Sequence, residues 1–278
     1  MSEAPALLEV RGLCKTYPQG HWWQRQLRVK ALDNLHLTLK AGSTLALAGE
    51  SGAGKTTLAM CLVGLEQPDA GEIRFEGKSL LALSRKQRRA AQRGIQLIFQ
   101  DSAGALNPRM SAQEIVEEPL LISQNSSRKE RIERVSQMME RVGLPSSSRN
   151  RRPHEFSGGQ RQRLAIARAL VLRPKLLILD EALAGLDLSI QGQIANLLSD
   201  MQLSEGLSYL HISHNLELVA RIADEVALIH QGRLIERVSS SPSTSKAFAH
   251  CSQRRVEAVS TETLAEDLAL GAKGGALA

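Results

Sequence analysis

The chain has 278 residues, of which 42% are hydrophobic and 23% charged, the balance of a globular protein with one or two domains. No apolar run approaches the ~20 residues that a membrane-spanning helix needs, and the N-terminus lacks the basic start and apolar core of a secretory signal. Three scattered cysteines show neither zinc-ligand spacing nor a disulfide framework. These features argue against an integral membrane protein and a disulfide-stapled secreted domain, and we expect a protein kept in the cytoplasm.

Basic residues give the chain a net charge of +6 and cluster at 85–89, 128–134 and 149–152. Such clusters are compatible with nucleic-acid contact. They are interleaved with glutamine, glutamate and serine, and no aromatic residues for stacking on bases accompany them. We therefore interpret them as solvated helix faces and expect no nucleic-acid partner.

The N-terminal part is predicted to be antiparallel β-structure. Residues 7–13 alternate weakly between apolar and polar side chains, and Leu35, Leu37 and Leu39 share one face of a second strand. Residues 17–23 predict a turn-rich connection between the two strands.

A glycine-rich loop follows the apolar segment 44–48, which is typical of a short buried strand. The loop fits the phosphate-binding pattern G-x-x-x-x-G-K-[ST], in which backbone N–H groups surround an anion, Lys55 reaches the outer phosphates and the Thr56 hydroxyl helps to hold Mg²⁺. Residues 58–63 predict a buried helix that stops near Gly64, and its N-terminal dipole adds to the site. The alternative, a turn without function, is disfavoured by the combination of strand, lysine and helix. The predicted nucleotide-binding residues of this phosphate loop are Gly49, Glu50, Ser51, Gly52, Ala53, Gly54, Lys55, Thr56 and Thr57.

The middle of the chain continues with short elements. Residues 72–75 predict a strand, 80–92 a basic helix, and 95–99 a buried strand that ends at Gln100. A polar loop at 101–110 then leads into a mainly helical region.

This helical region, at about 101–156, is predicted to be a small subdomain inserted into a larger α/β core. Ser127 and Glu130 have the spacing of a capping box, and apolar residues recur at helical spacing until the helix ends by Gly143. A Ser/Arg-rich loop at 145–153 follows.

The C-terminal half alternates helices with apolar strands, which predicts a largely parallel sheet with helices on both faces. Ser157 and Gln160 form a second predicted capping box that opens a helix reaching Pro174. A turn at 231–232 predicts a hairpin. The predicted elements after that first helix are strands at 176–180, 209–213, 226–229 and 233–238 and a helix over 190–201. We expect one domain over 1–238 and a divergent tail without a clear core pattern over 239–278.

Two carboxylates end the apolar strand at 176–180. Asp180 at the carboxyl end of such a strand is a candidate Mg²⁺ ligand across from Thr56. Glu181 could orient or activate a water molecule for attack on a γ-phosphate. His214 follows a later strand and could stabilise that phosphate, although a histidine alone is more often structural.

The segment Ser157, Gly158, Gly159 and Gln160, here called the signature segment, is a second anion site at a helix start. Together with the phosphate loop it makes the sequence resemble an ATP-binding cassette (ABC) ATPase over residues 7–238. The resemblance implies an α/β P-loop NTPase with a parallel-sheet core, an N-terminal antiparallel β part and an inserted helical subdomain. It also implies ATP and Mg²⁺ as cofactors and a head-to-tail dimer in which each ATP lies between one chain's phosphate loop and the other's signature segment.

The resemblance also implies roles for single residues. Tyr17 would stack on adenine, Glu181 would be the catalytic base, and His214 would switch with the γ-phosphate. Gln100 would contact Mg²⁺ or the attacking water, and Asp187 would make an inter-subunit contact. The implied metal-site residues are Thr56, Gln100 and Asp180.

Further motifs are similar to the ATPases of oligopeptide, dipeptide and nickel importers, and residues 180–182 and the divergent tail favour the nickel-type member. Such a subunit would lie peripherally on the cytoplasmic face of the inner membrane. It would act with two permease subunits, a second ATPase or a copy of itself, and indirectly an extracytoplasmic substrate-binding protein. The motifs lie at 99–102, 106–110, 118–120, 153–156 and 188–191.

The chain departs from the family pattern in its tail, which lacks the His-Pro-Tyr-Thr segment and the iron–sulfur cysteines of some peptide importers, and at two places near the catalytic residues. Family members usually have Pro-Thr-Ser-Ala after the catalytic glutamate, whereas here Ala184 lacks the hydroxyl, so communication across the dimer could differ. Asn215 replaces the usual aspartate after the switch histidine.

Two other functions compete with the importer subunit. A soluble ABC ATPase acting on DNA or ribosomes would carry long coiled coils, zinc modules or a second cassette, and this sequence has none of them. A regulatory subunit that does not hydrolyse ATP is disfavoured because Lys55, Glu181 and His214 are all present.

Overall fold

The computed structural model describes residues 6–19, 27–102, 104–123, 126–183, 186, 188–213 and 223–239. The strands are β1 (Ala6–Gln19), β2 (Leu27–Lys40), β3 (Thr44–Ala48), β4 (Ala70–Phe75), β5 (Lys78–Ser79), β6 (Ile95–Ile98), β7 (Leu176–Asp180), β8 (Ser208–Ile212), β9 (Glu225–His230) and β10 (Arg233–Ser239). The α-helices are α1 (Lys55–Val63), α2 (Arg85–Gln92), α3 (Ala112–Ser123), α4 (Arg128–Arg141), α5 (Gly158–Leu170) and α6 (Leu188–Glu205). None of the helices in these described ranges is long and apolar enough to cross a membrane.

The N-terminal strands form an antiparallel sheet in the order β2-β1-β4-β5. The antiparallel pairing of β1 with β2 confirms the prediction. Residues 17–19 are strand rather than turn, which corrects the sequence-based prediction, and Tyr17 pairs with Val29. Register shifts near Leu13 and Lys15 let β1 continue although its apolar alternation is broken there.

The second sheet has the order β10-β9-β3-β8-β7-β6. It contains β3, which precedes the phosphate loop, and β7, which ends at Asp180. Its strands from β9 to β6 are parallel, and β10 pairs antiparallel with β9 through the predicted hairpin. In β7, Leu177 and Leu179 pack into one apolar core, and Leu176 and Ile178 into another on the opposite face. Because both faces of β7 are covered, its sequence is continuously apolar.

Helix ends follow the residues that cap them. Ser127 and Ser157 both form complete capping boxes, as predicted. The helix predicted over 80–92 begins only at Arg85, because Ser84 caps it, while Leu80 extends the β4 pairing through a hydrogen bond to Ile73. The prediction was wrong there because a cap outweighs the helical preference of the residues before it.

The helical region consists of α3, α4 and two short 3₁₀ turns, at Ser146–Ser148 and Pro153–Glu155. α3 and α4 pack on α5, and their apolar side chains share one core with β7. The division into a domain over 1–238 with a helical subdomain at about 101–156 stays a prediction. The tail from residue 240 lies outside the described residues.

Candidate active site

The phosphate loop joins β3 to α1 at the carboxyl edge of the parallel sheet. A Cβ atom at Gly54 would lie 2.1 Å from the carbonyl oxygen of Ala31, and this glycine has a φ of +103°. Gly52 has a φ of +84°, and an added Cβ there would meet nothing within 4 Å. Packing therefore requires glycine at 54, whereas the space at Gly52 is open for an anion.

Lys55, the first residue of α1, folds back across the loop. Its Nζ donates hydrogen bonds of 2.7 Å to the carbonyl oxygens of Gly49 and Glu50. The side chain is only 6% exposed, and burial lowers the pKa of Lys55, although Glu181, Asp180 and Glu50 oppose that shift by their charges. The loop therefore holds a largely desolvated ammonium group beside its own N–H groups, where an anion would be strongly attracted.

Asp180 ends β7 opposite the start of α1. Its carboxylate accepts a hydrogen bond from the Thr56 hydroxyl, which lowers its pKa, but burial raises the pKa more. Asp180 is 5% exposed. A hydroxyl and a carboxylate in contact, with the Gln100 amide lining the same pocket, form an all-oxygen donor set of the kind that Mg²⁺ prefers.

Glu181 has an unusual backbone. Its φ of +51° is in the left-handed region that residues other than glycine rarely adopt. Its N–H donates a hydrogen bond of 2.9 Å to the carbonyl oxygen of Ile212 on β8, which holds this conformation in place. A strained backbone of this kind persists only where the surrounding structure imposes it, and such residues cluster at functional sites.

These groups line one pocket with a volume of about 390 Å³. The sequence-predicted residues Lys55, Thr56, Gln100, Asp180 and Glu181 are brought together there. Phe99 and Asp101 were not predicted as site residues, although both flank Gln100 and belong to the importer-like motif at 99–102. The full lining is Ser51, Gly52, Gly54, Lys55, Thr56, Thr57, Phe99, Gln100, Asp101, Asp180 and Glu181.

The other predicted residues are placed differently. Ser157 caps α5 by accepting a hydrogen bond from the Gln160 N–H at 3.3 Å, and no residue of the signature segment is among the described residues that line the pocket. Tyr17 lies on β1, with the Lys15 ammonium 5.2 Å from its ring centre, and it is also absent from that lining. The predictions for Asp187 and His214 lie outside the described residues.

A second cavity, of about 360 Å³, opens between the strand β6 and the helices α3 and α5. We call it the helical groove. Phe99 lines both this groove and the first pocket. Ile122 is 72% exposed and Phe99 is 40% exposed, so the groove presents apolar surface to solvent. Its main residues are Arg93, Phe99, Ser102, Leu106, Ile122 and Arg168.

Comparison with known proteins identifies relatives. A profile of the ABC transporter family matches residues 32–184, a range that includes the phosphate loop, Gln100, the signature segment and both acids. The dipeptide transport ATP-binding protein DppF of Haemophilus influenzae is 44% identical over 238 residues, which are 85% of this chain and 73% of that protein. The nickel import ATP-binding protein NikE of Shigella boydii serotype 4 is 44% identical over 230 residues, which are 83% of this chain and 86% of that protein.

Solved structures have the same fold. The dimeric post-hydrolysis state of the ATP-binding cassette MJ0796 bound to ADP and Pi has a TM-score of 0.75 and 26% identity, and the match covers 84% of this chain and 99% of that one. The cbiO1 protein from Clostridium perfringens, part of the ABC transporter complex cbiONQ, has a TM-score of 0.75 and 30% identity, with 88% and 91% of the two chains covered.

Proposed function

This chain belongs to the ABC transporter family and is an ATPase subunit that energises an importer, and from this premise we propose a cargo of peptides or nickel and a role for each site residue. The observation that carries the residue roles is the pocket in which Lys55, Gln100 and Glu181 lie together. The proposed cargo rests on the similarity to the dipeptide and nickel import ATP-binding proteins. ATP binding closes a dimer of two such subunits, and hydrolysis opens it again.

Within one chain, the phosphate loop binds the triphosphate through its backbone N–H groups, and Lys55 exchanges its two carbonyl partners for phosphate oxygens. The loop residues in this role are Gly49, Glu50, Ser51, Gly52, Ala53, Gly54, Lys55, Thr56 and Thr57. Thr56, Asp180 and Gln100 would hold Mg²⁺, which neutralises charge on the phosphate oxygens when bound. Tyr17 stacks on the adenine ring.

Glu181 is the proposed catalytic base. Its carboxylate accepts a proton from the attacking water, and the left-handed backbone keeps that carboxylate at the pocket wall. Gln100, which lines the same pocket, contacts Mg²⁺ or the attacking water. His214 stabilises the γ-phosphate, an assignment that rests on its position after β8 in the sequence alone.

The second half of the site comes from another chain. The signature segment begins α5, and none of its residues is among the described residues that line the chain's own pocket. A head-to-tail dimer would place Ser157, Gly158, Gly159 and Gln160 of one chain on the ATP of the other. Asp187 would contact the partner across the same interface. The partner is a second related ATPase or a copy of this chain.

The helical groove is the proposed docking site for the permease. Its exposed apolar residues and its shared wall with the nucleotide pocket suit a short permease helix whose position depends on the bound nucleotide. We expect two permease subunits and, outside the membrane, a substrate-binding protein that this chain never contacts. The chain would then lie on the cytoplasmic face of the membrane.

The test is reconstitution of the chain with its permease and partner ATPase in vesicles. ATP hydrolysis is measured with a binding protein loaded with dipeptide, loaded with nickel or empty. Stimulation by one loaded form identifies the cargo, and Lys55→Ala should abolish it because a desolvated phosphate loses its cation. Hydrolysis that responds to neither form, while the complex remains assembled, would contradict the proposed cargo.

A further inference from the structure

Gln162 lies on α5, two residues beyond the signature segment, and is 3% exposed. Its amide nitrogen donates a hydrogen bond of 2.6 Å to the carbonyl oxygen of Ala182, and its amide oxygen accepts one of 3.3 Å from the Ser102 hydroxyl. A single buried side chain thus joins α5 to two separate loops. Both polar ends of the amide are used, as a buried amide requires.

One of the two loops follows the proposed catalytic base, and the other lines the proposed docking site of the permease. Ala182 directly follows Glu181, and it is itself 1% exposed. Ser102 comes two residues after Gln100 and lines the helical groove. Hydrogen bonds of the Gln162 amide therefore connect Ser102, in the proposed permease site, to Ala182, the residue after the proposed catalytic base.

We propose that Gln162 is a positioning residue that couples the helical groove to the carboxylate of Glu181. This rests on the proposed roles of the groove and of Glu181. A displacement of Ser102 moves the amide, and the amide moves the Ala182 carbonyl next to the strained Glu181 backbone. Because the signature segment opens the same helix, closure of the dimer acts on the same amide.

Gln191 on α6 provides a matched comparison. Its amide nitrogen donates to the carbonyl oxygens of Leu183 and Leu186, at 3.0 and 3.1 Å. It holds the segment after Glu181 from another helix, and its bonds do not run through Ser102. Gln191→Leu therefore loosens the same segment without cutting the proposed link.

The experiment is a double-variant cycle on the full chain, with kcat and KM for ATP as readouts. Gln162→Leu should lower kcat by about tenfold, since small misplacements of catalytic groups are costly, and should leave KM within about twofold. Ser102→Ala should lower kcat by about threefold in the wild-type background and not at all in the Gln162→Leu background. In the Gln191→Leu background the effect of Ser102→Ala should persist in full.

A second readout needs no turnover. Amide hydrogen exchange at Leu183 should speed up in Ser102→Ala, and this effect should vanish once Gln162 is leucine. Two results together would overturn the proposal. The first is that Ser102→Ala lowers kcat by the same factor with and without Gln162→Leu, and the second is that Ser102→Ala leaves the exchange rate at Leu183 unchanged. A wild-type dimer, assembled with the partner ATPase where the chain does not pair with itself, that fails to hydrolyse ATP would instead count against the proposed function. The exchange comparison would still decide the coupling.

A variant that can regain the hydrogen bond to Ala182 distinguishes a positioning role of Gln162 from a role in packing alone. In Gln162→Glu, the introduced acid would face the Ala182 carbonyl in a buried place, which raises its pKa, and only the protonated form can donate a hydrogen bond there. The ratio of variant to wild-type kcat should therefore rise as the pH is lowered from about 8 to about 6. Wild type is the reference because the two proteins share every other ionisable group. A ratio that does not change with pH would contradict the hydrogen-bonding role.

Discussion

A Cβ atom at Gly49 would lie 2.2 Å from the carbonyl oxygen of Ile229 on β9. The first residue of the phosphate loop is therefore glycine because a neighbouring strand passes against it. Gly52 differs, since nothing lies within 4 Å of an added Cβ there. One motif thus contains a glycine needed for packing and a glycine that leaves room for a ligand.

This difference predicts separable effects. Gly49→Ala should lower the free energy of unfolding by about 1–3 kcal/mol or more, because backbone atoms must move apart. Gly52→Ala should cost about 1–2 kcal/mol for its left-handed backbone and should also weaken ATP binding. Gly42→Ala is the control, since Gly42 has a φ of +69° and open space but lies outside the site. Urea unfolding measures the free energy of unfolding, and an ATP titration measures the affinity for ATP. Equal loss of stability in Gly49→Ala and Gly42→Ala would show that the Ile229 contact is unimportant.

Glu181→Gln should leave ATP binding intact and lower turnover by about 100-fold or more, because the amide cannot accept the proton from water. The substituted protein should accumulate as an ATP-bound dimer, which size-exclusion chromatography detects. Glu133→Gln is the matched control, since Glu133 is an exposed residue of α4. Turnover close to wild type in Glu181→Gln would remove Glu181 from the catalytic role.

Ser157→Ala tests the signature segment against its capping role. Ser127→Ala is the control, because Ser127 forms the same capping box at the start of α4. Each substitution should cost about 1 kcal/mol of stability through the lost cap. Only Ser157→Ala should also lower ATP hydrolysis, since only that helix start is proposed to meet nucleotide. If both variants lose the same activity, the loss reflects stability and not contact with ATP.

Ile122→Asp places a charge in the helical groove, where the wild-type side chain is 72% exposed. The variant should fold normally and bind ATP like the wild type, but it should no longer co-purify with the permease, because docking would have to desolvate the introduced carboxylate. Leu203→Asp is the control, at a residue of α6 that is 87% exposed and outside the groove lining. Equal recovery of permease with both variants would place the docking site elsewhere.

The sequence alone determined the parts that depend on neighbours along the chain. The strand, loop and helix around Lys55 were predicted because glycine spacing and apolar runs are local signals. The capping boxes at Ser127 and Ser157 were predicted for the same reason, since cap and partner are three residues apart. The error at the start of α2 was also local, because the cap at Ser84 went unrecognised.

Only the tertiary structure decided which distant residues meet. No pattern in the chain indicates that Ile229 presses on Gly49, or that Gln162 bonds to both Ser102 and Ala182. The left-handed backbone of Glu181 likewise depends on the Ile212 carbonyl of the adjacent strand. Local sequence sets the backbone of each element, but contacts between elements arise from the order of strands in the sheet and the packing of helices on it, which side chains far apart in the chain determine together.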